Sequence, residues 1–482
     1  MLFNSLDFAI FLPIVFGLYW FVFKSVKAQN LLIVIASYIF YGWWDWRFLS
    51  LIIFSTLVDY TVGLALGKTQ KLNKRRILLF VSIIVNLGFL GFFKYSNFFL
   101  ENFVAAFSVF GREINTNSLN VILPVGISFY TFQTLSYTID TYRDKLKPTK
   151  DFIAFSAFVS FFPQLVAGPI ERATHLLPQF YDSRKFDYKL AIEGLRQILW
   201  GLFKKMVVAD NCAILANEIF NNSSDHSGGT LLLGALFFTF QIYGDFSGYS
   251  DIAIGTSRLF GFDLMKNFSY PYFSRDIAEF WRRWHISLST WFRDYLYIPL
   301  GGSRGGTWMK ARNTFIIFIV SGFWHGANWT FIVWGALNAI YFLPLLLLNK
   351  NRTNLNVIAE NKIFGSLKEY LSMVTTFSLT VLAWIFFRSE SVTQAFEILN
   401  QIASSSLFYI SNFGSPTEMY KAFIFIFILL IIEWYARTEE FGLSRIAKRI
   451  PSKMLRHILY YGLILLILWF GGEQQEFIYF QF

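Results

Sequence analysis

The amino-acid sequence predicts an all-α, polytopic integral membrane protein, and three observations carry this prediction. Apolar residues make up 55% of the 482 residues, more than soluble domains of this length could hide from water. Charged residues make up only 15%, where soluble globular proteins carry roughly 25%. Stretches without Asp, Glu, Lys or Arg recur along the whole chain and are long enough to cross a membrane. A soluble enzyme, a nucleic-acid-binding protein and a secreted scaffold are therefore disfavoured.

The charge-free stretches give the number of predicted helices. A helix rises about 1.5 Å per residue, so about 20 largely apolar residues cross the hydrocarbon core. Two weaker runs, around 48–67 and 422–432, qualify if aromatic residues at their ends anchor them at the interface. One transmembrane domain, residues 1–482, with roughly 11–12 crossings is expected, the first crossing being a helix rather than a cleaved signal peptide. The main runs are 8–23, 28–44, 77–93, 114–139, 152–170, 227–244, 313–349, 371–387 and 458–472.

Basic residues set the expected orientation, because short cytoplasmic loops are enriched in Lys and Arg. Lys24 and Lys27 follow the first run, and further basic clusters lie at 68–76 and 143–150, each two crossings after the last. This spacing places these loops in the cytoplasm and both termini outside. The net charge of +11 is thus explained by topology, and no nucleic-acid partner is expected.

The stretch 152–170 does not fit an alternating count of crossings, because basic loops flank it on both sides. It contains Pro163, Gly168 and Pro169, which interrupt a helix. Broken backbone at membrane depth is stable only where protein or a water-filled cavity covers it. We therefore expect a re-entrant segment that enters from the cytoplasmic side.

A first group of polar residues follows directly after an apolar run and consists of Asp245, Ser247 and Asp251. Ionisable residues inside membrane spans mark function by default, since they face the bundle interior or a cavity. Two interpretations stay open for this group: direct contact with substrate, or a hydrogen-bonded packing site between helices.

A second polar region, 270–304, mixes Arg with Trp and Tyr every few residues, as interfacial helices do. One interpretation is an amphipathic belt whose arginines reach toward the membrane surface, although this explains His285 less well. The alternative is a basic, aromatic funnel that receives an anionic, nucleotide-bearing donor. The candidate residues are Arg282, Arg283, Trp284, His285, Ser287 and Asp294.

His325 is the most informative residue, because no other His, Asp, Glu, Lys or Arg occurs between residues 313 and 349. A helix that starts at the preceding arginine would place it roughly 20 Å into the bilayer. Such a lone histidine is either a satisfied structural residue or a functional one. Burial keeps an imidazole neutral and able to accept a proton, and the neighbouring glycines leave room for a ligand. Asn328 is a candidate to orient the ring or hold a carbonyl, and Trp324 is a candidate to line the site.

Together these residues predict an elongated central tunnel that brings an activated group up from the cytoplasm to meet a nucleophile from outside. His285 is expected on the cytoplasmic side of this path and His325 deeper in it. Metal binding is the rival use of the histidines and aspartates, but no close ligand spacing supports it, and the single Cys212 excludes a Cys-based site. A P-loop and a Gly-x-Ser-x-Gly elbow are absent. No metal and no bound cofactor are expected.

At these motifs the sequence resembles the membrane-bound O-acyltransferase family, in particular its branch for bacterial alginate O-acetylation. The resemblance covers nearly the whole chain. It implies a helical fold with a tunnel through the bacterial inner membrane, and it implies acyl transfer. His325 matches the family's essential histidine, and His285 matches its second one. The segments that carry the resemblance are 3–8, 162–172, 245–251, 281–295, 324–326 and 477–482.

The resemblance also implies the partners of the reaction. The acetyl donor is expected to be acetyl-CoA in the cytoplasm, and the acceptor is expected outside. The receiver is a periplasmic or membrane-anchored SGNH-like acetyltransferase, which then modifies a secreted polysaccharide such as alginate. In this hypothesis His325 acts as general base on the acceptor hydroxyl, and His285 polarises the carbonyl or lines the donor path.

Three alternatives stay open. In the first, the acylated polymer is peptidoglycan or teichoic acid. In the second, the chain transports a polysaccharide or a lipid-linked sugar, although the matched broken helices of inverted repeats are not found. In the third, the chain is a non-catalytic scaffold of an export complex.

Overall fold

The computed structural model describes residues 1–109, 119, 122–360, 362–471, 475, 477 and 478. All regular structure in these residues is helical, which confirms the predicted all-α class. The chain divides into two compact units, Met1–Ala191 with Thr256–Met265 and Ile192–Gly255 with Lys266–Phe482. The single domain expected from the sequence stays a prediction.

The first unit is a set of apolar helices with short irregular turns between them. A π-helical turn, Leu18–Val22, extends α1, and another, Gly91–Tyr95, joins α4 to α5. The helices are α1 (Leu6–Gly17), α2 (Val26–Gly42), α3 (Leu49–Lys68), α4 (Leu72–Leu90), α5 (Ser96–Val109), α6 (Ile127–Tyr142), α7 (Phe152–Ser160), α8 (Phe162–Leu165) and α9 (Ala173–Leu176).

A buried carboxylate ties three helices of the first unit together. Asp59 on α3 accepts hydrogen bonds from Ser82 (2.5 Å) and Asn86 (2.9 Å) on α4 and from Thr138 (3.1 Å) on α6. Because a buried polar group is costly unless it is hydrogen-bonded, this network fixes which faces of the three helices meet.

The stretch expected to be re-entrant is broken where its proline predicts a break. The helix α7 ends at Ser160, the backbone leaves helical geometry at Phe161, and the short α8 starts again with Pro163 in its first turn. Every residue from Ala154 to Ala173 is buried. The broken backbone is therefore covered by protein, as membrane depth requires, and its entry from the cytoplasmic side stays a prediction.

The remaining helices lie wholly or mostly in the second unit. Its π-helical turns are Phe203–Ala209, between α10 and α11, and Arg293–Tyr297, after α14. The helices are α10 (Tyr188–Leu202), α11 (Asp210–Asn221), α12 (Gly228–Leu259), α13 (Ile277–Arg283), α14 (Ile286–Phe292), α15 (Gly306–His325), α16 (Trp329–Leu347), α17 (Leu367–Arg388), α18 (Val392–Ile402), α19 (Pro416–Ala436), α20 (Ile446–Arg449) and α21 (Lys453–Phe470).

Helices long and apolar enough to cross a membrane occur in both units, so the protein is a multi-pass membrane protein. Seven such segments lie in the described residues, together with three shorter apolar helices, fewer than the roughly 11–12 crossings expected. The expected run 114–139 lies partly outside the described residues, and α15 begins with basic residues, so neither counts by length and composition. The seven are Trp46–Lys68, Leu72–Ser108, Gly228–Leu259, Trp329–Leu347, Leu367–Arg388, Pro416–Ala436 and Lys453–Phe470.

Two glycines let α15 and α16 pack closely as a helical hairpin. A side chain at Gly322 would come within 2.2 Å of the Phe331 carbonyl oxygen, and one at Gly335 within 2.3 Å of the Phe318 carbonyl oxygen. Only glycine fits at these two reciprocal positions. The expectation that these glycines leave room for a ligand is wrong at Gly322, where the neighbouring helix occupies the space beside the backbone.

Candidate functional site

The two predicted catalytic histidines lie beside each other in the second unit. The ring centroids of His285 and His325 are 6.2 Å apart, and the residues are 1% and 3% exposed. The expectation that His285 lies on the cytoplasmic side and His325 deeper along the path stays a prediction. The fold brings the two rings into one buried site, because the turn before α14 packs against the end of α15.

His325 is the last residue of α15, and its ring is enclosed by aromatic side chains. Its ring centroid lies 4.9 Å from that of Trp324, 5.2 Å from that of Trp334 on α16 and 5.4 Å from that of Phe387 on α17. The backbone becomes extended at Gly326, which ends the helix directly after the histidine. The predicted lining residue Trp324 thus contacts the histidine directly.

His285 sits in the turn between α13 and α14. Its ring makes an edge contact with Phe246 on α12, at a centroid distance of 4.6 Å, and lies 6.0 Å from Trp324. Burial lowers the pKa of His285 to about 3, so the ring is neutral at physiological pH. A neutral imidazole keeps one N–H donor and one acceptor nitrogen, and this is the form needed for a hydrogen bond to a substrate.

A cavity of about 260 Å³ lies in the second unit, and neither histidine is among the residues that line it. Its buried end is formed by Leu288, one helical turn after His285, and by Ser321, one turn before His325. The Trp281 indole nitrogen is buried in the wall without a hydrogen-bond partner among the described residues. The cavity therefore reaches the helical turns that carry both histidines. The other wall residues are Ser289, Phe292, Tyr297, Ser303, Thr314, Ile317, Phe318, Phe342, Leu346 and Asn351.

The exposed end of this cavity is basic. Arg293 and Arg352 line it, and the side chain of Arg293 is 60% exposed. The predicted site residue Asp294 pairs with Arg293 at 2.7 Å. A role of Asp294 in substrate binding stays a prediction, and in the structure its carboxylate orients an arginine at the mouth of the cavity.

The polar group on α12 has two lysine partners that were not among the predicted site residues. The Lys205 ammonium lies 2.7 Å from Asp245 and 2.8 Å from Asp210. Lys204 pairs with Asp251 at 2.6 Å and donates to Ser247 at 3.0 Å. Asp245 also accepts a hydrogen bond from the Ile478 amide at 2.7 Å. These contacts match the packing-site interpretation, and direct substrate contact by the group stays a prediction. Two adjacent lysines in the otherwise apolar stretch 199–208 were the available signal.

The predicted arginines of the funnel hold loops in place. Arg283 pairs with the buried Glu279 at 2.8 Å. Arg282 donates to the Asn351 and Asn354 carbonyl oxygens at 2.8 and 2.7 Å. Neither guanidinium lines the cavity, so these arginines fix the loop before α17 beside α13, and donor binding by them stays a prediction.

Trp284, Ser287 and Asn328 also have structural partners. Trp284 is buried against Trp384, with ring centroids 5.1 Å apart. Ser287 donates to the Asn267 side-chain oxygen at 2.9 Å. Asn328 caps α16 and donates to the Glu390 carbonyl oxygen at 2.8 Å, and its predicted role in orienting the histidine stays a prediction. Substrate contacts of these three residues stay predictions.

Comparison with known proteins gives one family and several named relatives. The model of MBOAT, the membrane-bound O-acyltransferase family, matches residues 68–386, which include both histidines. The protein named "Probable alginate O-acetylase AlgI" from Pseudomonas aeruginosa is 41% identical over 414 residues, covering 86% of this chain and 76% of that protein. The "Peptidoglycan O-acetyltransferase" of Helicobacter pylori is 37% identical over 402 residues, covering 78% and 74%. The "Teichoic acid D-alanyltransferase" of Streptococcus thermophilus is 30% identical over 285 residues, covering 55% and 68%.

Proposed function

The chain belongs to the membrane-bound O-acyltransferase family, and on this premise we propose that it carries acetyl groups from cytoplasmic acetyl-CoA to an acceptor outside the membrane. It is an O-acetyltransferase of polysaccharide acetylation. The observation that carries the proposal is the pair of buried histidines, whose ring centroids lie 6.2 Å apart and whose helical turns contribute wall residues to a cavity with a basic mouth. The polymer is proposed to be an alginate-like exopolysaccharide, by similarity to the first relative.

The proposed chemistry is a direct transfer of the acetyl group from the thioester to the acceptor hydroxyl, with one histidine ring acting on each reactant. His325 takes the proton of the acceptor hydroxyl, whose oxygen attacks the thioester carbonyl carbon. The N–H of neutral His285 stabilises the negative charge on the carbonyl oxygen. The carbon–sulfur bond then breaks, and the proton passes to the departing thiolate. The aromatic walls around His325 exclude water, which would otherwise hydrolyse the thioester.

The basic mouth of the cavity is proposed to bind the phosphates of the donor. Guanidinium groups bind phosphate through charge-assisted hydrogen bonds, and Arg293 and Arg352 lie at this end. The proposed orientation places this mouth on the cytoplasmic side of the inner membrane, with both termini outside. The acceptor then reaches His325 from the opposite side, where an SGNH-like acetyltransferase is the proposed receiver.

The substitution Arg352→Ala is expected to raise the KM for acetyl-CoA about three- to tenfold and to leave kcat almost unchanged. One exposed charge-assisted contact is worth about 1 kcal/mol, and it acts on binding only. The measurement is the rate of acetyl transfer by isolated membranes at varied donor concentration. Lys368→Ala is the matched control, because Lys368 is exposed in the same unit and does not line the cavity. An unchanged KM in the Arg352 variant would remove the proposed donor contact.

Loss of the protein is expected to leave a secreted polymer that lacks ester-linked acetyl groups. The transporter alternative predicts instead that the polymer itself disappears, and the scaffold alternative predicts normal acetylation by variants at either histidine. The measurement is the amount of secreted polymer and its hydroxylamine-reactive acetyl content, determined separately in the deletion strain. Reduced acetylation of peptidoglycan with a normal exopolysaccharide would identify the alternative polymer that the second relative suggests.

A further inference from the structure

The backbone of His285 has an unusual conformation. Its φ of 43° and ψ of 54° lie in the left-handed region, which a residue with a side chain rarely adopts. Such a conformation costs free energy and persists only where surrounding contacts determine it, most often at functional sites. The direction of the His285 ring depends on this turn, so the contacts that hold the turn control the geometry of the site.

Asn267 supplies these contacts from the loop after α12. Its backbone oxygen accepts a hydrogen bond from the Ile286 amide at 2.9 Å. Its side-chain oxygen accepts two more from Ser287, at 2.9 Å from the hydroxyl and 3.3 Å from the amide. The two residues that follow His285 are therefore both fixed to Asn267.

Asn267 is itself anchored to the helix that contacts His285 from the other side. Its amide nitrogen donates to the Ser250 hydroxyl on α12 at 3.0 Å. The same helix carries Phe246, whose ring touches His285. Asn267 is completely buried, so water cannot replace its hydrogen bonds when the side chain is removed. The Asn267 side chain thus links α12 to the turn that orients the His285 ring.

We propose that Asn267 is a positioning residue, which holds the left-handed turn at His285 so that its ring faces the ring of His325. The inference rests on the proposed function in assigning a catalytic role to His285. In this proposal Ser287 has a structural role as the hydrogen-bond partner of Asn267, in place of the substrate contact predicted from the sequence.

The first test measures the environment of His285 without using activity. The chain has five histidines, so ¹³C-histidine labelling gives a small set of NMR signals, and the variant H285Q assigns one of them. Asn267→Ala is expected to shift or broaden this signal. S287A keeps the hydrogen bond from the Ser287 backbone amide to Asn267, so it is expected to shift the signal less. Asn211→Ala is the control, because it removes an asparagine side chain of the same unit, on α11, that makes two hydrogen bonds of its own. A His285 signal unchanged in both N267A and S287A would overturn the proposal.

The second test separates positioning from general damage to the fold. Because a misplacement of about 1 Å can cost on the order of 100-fold in rate, N267A is expected to lower kcat about 10- to 100-fold and to change the KM for acetyl-CoA less than about threefold. N211A is expected to keep both constants. If H285Q is inactive while N267A has a normal kcat, the positioning role is wrong and the proposed function stands. If H285Q is fully active, the catalytic role of His285 fails, and the positioning role fails with it.

Discussion

Replacing His325 with alanine is expected to abolish polymer acetylation. The proposed reaction needs a base at the acceptor hydroxyl, and general-base catalysis contributes about 10²- to 10⁴-fold. Within the described residues, the other imidazole at this site is that of His285. It is proposed to donate a hydrogen bond to the carbonyl oxygen, so it cannot act as the base at the same time. The measurement is the ester-linked acetyl content of the secreted polymer in a deletion strain that expresses the variant.

Two further variants make this result interpretable. His325→Gln keeps a polar side chain of similar length and preserves the packing against Trp334 and Phe387, so it tests the base if the alanine variant fails to accumulate. His457→Ala is the matched control, because His457 is an exposed histidine on α21. We expect His457→Ala to acetylate normally. Normal acetylation by both His325 variants, present in the membrane at wild-type amounts, would remove His325 from the mechanism.

Removing the Lys205 ammonium is expected to destabilise the second unit strongly. In K205A the carboxylates of Asp210 and Asp245, both buried, lose their shared cation. Breaking a buried ion pair from one side typically costs about 3–5 kcal/mol, because an uncompensated charge remains. The measurement is the thermal unfolding temperature of the purified protein in detergent, together with its yield in the membrane.

A variant in which all three charged groups of this cluster are made neutral is the control for this prediction. The triple variant K205M, D210N and D245N removes all three charges at once, and replacing a whole buried ion cluster is often nearly neutral for stability. We expect it to recover most of the unfolding temperature lost in K205A. If K205A is as stable as the wild type, the cluster does not hold the unit together, and the substrate interpretation of Asp245 regains its support.

The features that the sequence predicted well are those encoded locally. The apolar runs predicted helices, and Pro163 predicted the break between α7 and α8. His325 stood out because a lone ionisable residue in an apolar run is costly unless it has a role. Each of these signals lies within one segment of the chain and needs no knowledge of its spatial neighbours.

The features that the sequence did not predict depend on contacts between distant segments. The two histidines are separated by forty positions, and only the packing of the turn before α14 against α15 brings their rings to 6.2 Å. For Asp251 the sequence left substrate contact and packing equally open, because its partner Lys204 lies on a different helical segment. The sequence gives no sign of the role of Asn267, because an asparagine in a loop is common and only its hydrogen bonds distinguish it.

The most direct test of acetyl transfer across the membrane is to measure its direction in membrane vesicles. Membrane vesicles from cells that make the polymer are prepared inside-out and right-side-out, and radiolabelled acetyl-CoA is added from outside. We expect base-labile label to accumulate on acceptors in the lumen of inside-out vesicles and to stay near background in right-side-out vesicles and in the His325→Gln variant. Equal labelling in both orientations, or undiminished labelling in the variant, would contradict transfer across the membrane through the paired histidines.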